Sequence, residues 1–271
     1  MKITFIGGGN MAQALIGGLL RQGFVPADLQ VVELLPALRQ KLGETCGVVC
    51  LEEVGAAALE TDLLVLAVKP QQMREALSPL AGRLQHQIVV SIAAGLTLET
   101  LSRWLGGYRR LVRAMPNTPA LIGAGMAGLC ALPDVTLNER LAAEQVLAAA
   151  GATLWVEEEA MMDAVTAISG SGPAYLFLFV EALEQAALEL GFAPEAARQL
   201  ALATTLGSAR LAADAPDSPA VLREKVTSKG GTTAAALAVM AKKEVAAGLI
   251  AGAKAAALRS RELAQQLGDA A

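Results

Sequence analysis

The run Lys2–Ile6 is rich in strand formers and ends directly in Gly7-Gly8-Gly9-Asn10-Met11-Ala12. Behind it Met11, Leu15, Ile16, Leu19 and Leu20 recur at helical spacing until Gly23. A strand that turns through Gly-x-Gly-x-x-Ala into an amphipathic helix leaves few choices of fold. The first glycine permits the tight turn, the second lets a pyrophosphate approach the backbone, and Ala12 keeps the helix close to the sheet. This is the opening of a dinucleotide-binding unit. Glu33 closes the next strand, Leu29–Val32, roughly 20 residues on, where the acid that meets the ribose is expected. A carboxylate accepts from a 2′-hydroxyl and repels a 2′-phosphate, and Leu34 and Leu35 bring no arginine. Use of NADH is therefore expected.

The pattern then repeats. Asp62–Val68 is nearly all apolar, as a parallel strand buried on both faces must be. Further strands are expected at Val48–Leu51, Gln87–Ile92, Arg110–Ala114, Met126–Ala131 and Thr153–Val156. Helices are expected between them at Pro36–Leu42, Glu53–Leu59, Pro70–Gly82, Thr97–Leu105 and Thr136–Gly151. Alternation at this spacing specifies a doubly wound, mostly parallel sheet. After Glu157-Glu158-Glu159 no convincing strand follows. Helices are expected at Ala160–Ile168, Ala174–Leu190, Pro194–Ala213, Pro219–Val226, Thr232–Lys242 and Val245–Leu267. The reading is an α/β Rossmann domain over residues 1–157 and an all-α domain over 158–271. The second is rich in alanine, which suits closely crossed helices and burial against a second copy, so a homodimer through this domain is expected.

Composition narrows the function. The chain is 54% hydrophobic but 3% aromatic, so the core is aliphatic. Net charge is −4 with no basic block, which argues against nucleic acid. No uninterrupted apolar run reaches the roughly 18–20 residues of a membrane span, and the start lacks a signal peptide. A cytoplasmic enzyme is expected. Cys46, Cys50 and Cys130 read as free thiols, and with His86 the only histidine no metal site is expected. A lone histidine also removes most Ser-His or Cys-His schemes.

The remaining motifs sit where ligands bind in such sheets, beyond the carboxyl ends of the strands. Ala67-Val68-Lys69-Pro70 follows the fourth strand and Ala93-Ala94-Gly95 the fifth. Asn117, in Arg113-Ala114-Met115-Pro116-Asn117-Thr118-Pro119, is a candidate partner for a nicotinamide carboxamide. Ser228-Lys229-Gly230-Gly231-Thr232-Thr233 precedes a helix. Adjacent glycines let the backbone curl, and the helix start offers unpaired N–H groups to an anion such as a carboxylate. A second glycine stretch, Ser169-Gly170-Ser171-Gly172-Pro173, reads as a close helix crossing or a ligand approach.

Taken in order, these motifs resemble the Δ1-pyrroline-5-carboxylate reductases over nearly the whole chain. The most specific are Ile168-Ser169-Gly170-Ser171-Gly172-Pro173-Ala174-Tyr175 and Val226-Thr227-Ser228-Lys229-Gly230-Gly231-Thr232-Thr233. The resemblance implies a helical dimerisation domain that interleaves with its copy, with further assembly into decamers in some relatives. It implies reduction of the cyclic imine of pyrroline-5-carboxylate to L-proline by NAD(P)H. By position, Gly7, Gly8, Gly9, Asn10, Met11, Ala12, Ala67, Val68, Lys69, Pro70, Ala93, Ala94 and Gly95 would hold the cofactor, with Glu33 at the ribose and Asn117 near the nicotinamide. Ser228, Gly230, Gly231, Thr232 and Thr233 would hold the substrate, with Thr233 as the catalytic residue. Glu159 and Lys225 match positions that line the site in relatives. Two departures stand out. Many relatives carry proline at Lys229, and many carry polar or basic residues suited to NADPH where this chain has Glu33-Leu34-Leu35.

Overall fold

The computed structural model describes residues 1–269. It packs as two units. One comprises residues 1–171 with the last helix from Lys254 onward, and the other is Gly172–Ala253. The boundary expected near residue 158 falls ahead of a short helix that packs with the sheet. That helix, Met161–Val165, buries Met162 in the second layer of sheet core, and Val165 packs closely over Gly128.

The first unit is built on eight strands, β1 (Ile3–Ile6), β2 (Leu29–Val32), β3 (Val49–Leu51), β4 (Leu63–Leu66), β5 (Ile88–Ser91), β6 (Leu111–Met115), β7 (Gly125–Ala131) and β8 (Gly151–Trp155). They pair in the order β3-β2-β1-β4-β5-β6-β7-β8. All pairs are parallel except β6–β7, where Ala114 lies opposite Leu129. The order reverses beside β1, between β2 and β4, so the carboxyl ends of these three strands open a crevice. The two sheet faces bury separate apolar layers. Phe5, Leu15, Leu19, Val31 and Leu63 lie in one, and Leu64, Leu66, Met73, Leu77 and Leu101 in the other. Each such side chain contributes about 1.5–3 kcal/mol through its removal from water.

Six helices serve this sheet: α1 (Asn10–Arg21), α2 (Pro36–Cys46), α3 (Ala56–Leu59), α4 (Met73–Leu77), α5 (Leu98–Trp104) and α6 (Leu137–Ala148). The helix expected over Pro70–Gly82 is broken into the 3-10 turn Pro70–Gln72, α4 and the 3-10 turn Ser78–Leu80. Pro79 accounts for the change after Leu77, since its ring clashes with the preceding turn and it has no N–H to donate. Helix α6 starts where expected because Thr136 and Glu139 form a capping box.

Helix α7 (Met161–Val165) runs into a π-helical turn over Thr166–Gly170 and then α8 (Gly172–Glu189). The helical run Met161–Glu189 meets the length and composition needed to cross a membrane, with a mean hydropathy of 1.2. Glu181 and Glu184 interrupt the apolar letters, so counting unbroken runs passes over it. The second unit holds α8, α9 (Pro194–Asp214), α10 (Pro219–Lys225), α11 (Thr232–Lys242) and the start of α12 (Val245–Asp269). Helices α8 and α9 pack together, but only Ala197 and Ala201 become buried. Leu176, Phe177, Leu178 and Phe179 are all exposed.

Candidate active site

The turn from β1 into α1 is shaped by its glycines. Gly7 has φ +100°, and a Cβ there would lie 2.9 Å from the carbonyl oxygen of Ala67. A side chain on this residue would thus be strained twice over. Gly9 caps α1 with no side-chain hydrogen bond, and a Cβ on it would meet nothing within 4 Å. The first N–H groups of α1 are therefore open at the positive end of the helix. The peptide of Gly8 is held from both sides. Its N–H donates to Glu33 Oε2 at 2.9 Å, and its carbonyl accepts from Gln13 Nε2 at 2.9 Å.

A cavity of about 560 Å³ lies against this turn, lined by Gly7, Gly8, Gly9, Glu33, Leu34, Leu35, Ala67, Val68 and Lys69 among others. An open uncapped helix end, a glycine with free space above it and a cavity at the carboxyl ends of β1, β2 and β4 fit a dinucleotide. Glu33 is fixed at its wall, because Oε1 also accepts the Leu35 N–H at 3.0 Å.

Other residues expected at the cofactor lie apart from this cavity. Asn10, Met11 and Ala12 begin α1, and Ala12 is fully buried in the core. Pro70 opens the 3-10 turn after β4. Ala94 is exposed, while Ala93 and Gly95 are buried, with Gly95 facing Leu263 and Leu267 of α12. Asn117 has its own structural work. Its Nδ2 donates to the carbonyl and hydroxyl oxygens of Ser169 at 3.1 and 3.2 Å, and its Oδ1 accepts the Met126 N–H at 2.9 Å. It clips the loop after β6 to β7 and to the π-helical turn. Glu159 is likewise anchored, with Oε1 accepting from Arg113 Nη1 at 2.9 Å and from the Leu98 N–H at 2.8 Å.

In the helical unit, Ser228–Gly231 form a tight turn closed by the Gly231 N–H on the Ser228 carbonyl at 3.0 Å. Gly230 has φ +72°. Gly231 caps α11 without a side-chain hydrogen bond, so the N–H groups of Thr232, Thr233 and Ala234 begin the helix unpartnered. A Cβ on Gly231 would fall 2.3 Å from Ser228 Oγ, so the glycine is what lets that hydroxyl lie over the helix start. Lys229 is exposed at the tip of the turn. Lys225 pairs with Asp217 at 2.5 Å, upstream of the loop. Two site features escaped sequence reasoning. Gln13 shares the outer face of α1 with Asn10, Gly17 and Arg21 and reaches back to the Gly8 carbonyl, and Arg39 donates to the carbonyl oxygens of Glu33 and Leu34. No local pattern in the sequence signals either contact. Among the described residues no group of three or more His, Cys, Asp or Glu could hold a metal ion.

Residues 159–263 match the family described as pyrroline-5-carboxylate reductase dimerisation. Residues 2–95 match NADP oxidoreductase, coenzyme F420-dependent. A pyrroline-5-carboxylate reductase of Pseudomonas aeruginosa is 43% identical, covering 99% of this chain and 98% of its own length. That of Haemophilus influenzae is 45% identical over 88% of each chain. Among solved structures, a pyrroline-5-carboxylate reductase from Coxiella burnetii superposes with a TM-score of 0.91 at 40% identity, covering 97% of this chain and 98% of the other. A Plasmodium falciparum pyrroline carboxylate reductase solved with NADP bound gives 0.87 at 27% identity over 97% and 98%. With the loop chemistry, the sheet and the full-length likeness in agreement, this chain belongs to the pyrroline-5-carboxylate reductase family.

Proposed function

We infer that this chain reduces the C=N bond of L-1-pyrroline-5-carboxylate to L-proline with NAD(P)H, the final step of proline formation. The observation that carries the assignment to particular residues is the uncapped start of α11 behind the Ser228–Gly231 turn.

The chemistry divides between the two units. Gly7, Gly8 and Gly9, the open N–H groups of α1, and Ala67, Val68 and Lys69 hold the pyrophosphate side of the cofactor, with Glu33 at the ribose. When bound, NAD(P)H supplies the hydride that adds to the imine carbon. The N–H groups of Thr232 and Thr233 bind the substrate carboxylate. The Thr233 hydroxyl hydrogen-bonds the ring nitrogen and orients the imine. That nitrogen carries a proton when the imine carbon accepts hydride, so the product amine is neutral at the moment it forms. The turn holds no histidine or carboxylate to deliver the proton, so the imine arrives protonated or takes the proton from water. Position and electrostatics do the rest. Lys229 places a positive charge at the tip of the turn, where it attracts an anionic substrate.

The apolar surface of the helical unit is covered by a second copy, giving a homodimer that works in the cytoplasm. The helical run Met161–Glu189 is a dimer element in this reading, and further assembly towards a decamer would build on that dimer. Oxidation of NADH and of NADPH, each followed with pyrroline-5-carboxylate, tests the assignment. Turnover with at least one coenzyme is expected. Coenzyme binding without turnover by either would leave a sensor or partner protein in its place.

A further inference from the structure

The turn after β2 holds a cation close to the proposed ribose site. Arg39, on α2, folds back on that turn. Its Nη1 donates to the carbonyl oxygens of Glu33 at 2.8 Å and Leu34 at 2.9 Å. Its Nη2 donates to Glu52 Oε1 at 2.7 Å. The arginine side chain is 16% exposed and the glutamate side chain 80% exposed. Glu33, one residue along the same turn, is pinned at the cavity wall by the N–H groups of Gly8 and Leu35. Leu38 lines the cavity and Arg39 does not.

An arginine near this position is what accommodates a 2′-phosphate in dinucleotide-binding sheets. Its planar fork matches a phosphate in two hydrogen bonds. Here the fork is already engaged, by two carbonyl oxygens on one side and a carboxylate on the other. We propose that the Arg39–Glu52 pair is a second determinant of coenzyme choice: Glu52 neutralises Arg39 and holds it off the cavity, so that Glu33 meets the ribose unopposed and the site favours a 2′-hydroxyl over a 2′-phosphate. This rests on reading the cavity as the dinucleotide site. Glu53 and Glu75, which also line it, add to the field against a 2′-phosphate, and Lys69 is the cation on the β4 side. The arginine needed for NADPH is thus already in the chain. What withholds it is the Glu52 carboxylate, acting with the carbonyl oxygens of Glu33 and Leu34.

Calorimetric binding of NAD⁺ and NADP⁺ to the full-length chain tests this apart from turnover, since the two ligands differ only in the 2′-phosphate. The wild type binds NAD⁺ more tightly. Glu52→Gln raises the affinity of NADP⁺ relative to NAD⁺ by about twofold to fivefold, the scale of one released exposed charge pair. Glu33→Ser raises the ratio on its own, and Glu52→Gln raises it again in that background. Arg39→Lys, which keeps the charge but loses the fork, removes most of the gain made by Glu52→Gln. Arg39→Ala removes all of it if the turn stays folded. A ratio untouched by Glu52→Gln in both backgrounds, with both nucleotides binding, overturns the proposal alone. Binding of neither nucleotide overturns it together with the reading of the cavity.

Discussion

Arg113, on β6, and Glu159, just ahead of α7, form an ion pair at 2.9 Å in which the arginine side chain is only 5% exposed. The same Glu159 oxygen accepts the first N–H of α5, from Leu98, at 2.8 Å. One carboxylate therefore ties the sheet to two helices. Removing one partner of a buried pair leaves a charge without compensation. Glu159 is 28% exposed, so water recovers part of the loss. Arg113→Ala is expected to lower unfolding free energy by about 2–4 kcal/mol. Glu159→Gln, which still accepts from Leu98, costs about 1–2 kcal/mol. Urea denaturation reads both, and a Glu159→Gln protein as stable as wild type would show that the pair holds nothing together.

Thr233→Ala removes the hydroxyl assigned to the imine nitrogen but leaves the N–H groups of α11 in place. A loss of roughly 10–1000-fold in kcat/KM follows, the scale of one positioning or charge-stabilising contact. The loss should fall mainly on kcat, since the carboxylate is still bound. Full activity in a folded Thr233→Ala protein would take the catalytic role away from this residue.

Gly231 and Ser228 make a coupled pair. A Cβ on Gly231 would displace the Ser228 hydroxyl, which lies 2.3 Å from that position. Gly231→Ala and Ser228→Ala should each raise KM for the imine by about tenfold, the scale of one lost hydrogen bond to a charged group. The double variant should be little worse than either, because both changes remove the same hydroxyl from the helix start. Additive losses would mean that Gly231 serves the turn in some other way.

Much of this fold could be read from residue patterns, and the failures have physical reasons. The strands were legible because those in the middle of the sheet are continuous aliphatic runs, and because glycines or prolines bound the helices. The uneven helix over residues 70–82 hinged on Pro79, whose effect depends on where in the turn it falls. Asn117 was assigned to the nicotinamide because a polar side chain after a strand is a fair candidate. Its partners are Met126 and Ser169, nine and 52 residues away, and no local pattern reports such pairing. Glu33 was singled out by its spacing, yet the two N–H groups that fix it, and Arg39 beneath it, emerge only when the chain is folded.

Three acidic groups push stability in one direction at high pH. The thiols of Cys130 and Cys50 are raised above their ordinary value of 9.0, chiefly by burial, with Glu159 adding to the effect at Cys130 and Cys46 at Cys50. The Tyr108 hydroxyl is raised above 10.0, also chiefly by burial. In each case the folded state holds its proton more tightly than the unfolded chain. Their contribution is complete below the unfolded values and is lost as pH climbs through the folded ones. The urea midpoint should therefore fall as pH rises above about 9, the ordinary thiol value. Cys130→Ala should flatten that fall, and an unchanged slope in this variant would leave the buried thiol without a part in it.

Helix α8 presents Leu176, Phe177, Leu178 and Phe179 in succession, with exposures of 47, 65, 66 and 48%. Four consecutive residues point in four directions around a helix, so no single face of α8 is turned to a core. A helix apolar all round needs burial by something beyond its own unit. Leu200, Leu202, Leu206 and Leu211 on α9 are exposed in the same way. In the homodimer proposed above, a second copy is expected to cover both surfaces at once. Light scattering at micromolar concentration should give a dimer or a multiple of it, recovered in the supernatant of a high-speed spin without detergent. Phe177→Glu with Leu178→Lys places two charges where the partner must pack, and burying unpaired charges is too costly to tolerate. This variant should leave the dimer, lose activity and expose apolar surface to a reporter dye, while the sheet unit keeps its coenzyme affinity. A wild-type monomer, or recovery only in the membrane fraction, would assign the apolar run to something other than a second copy.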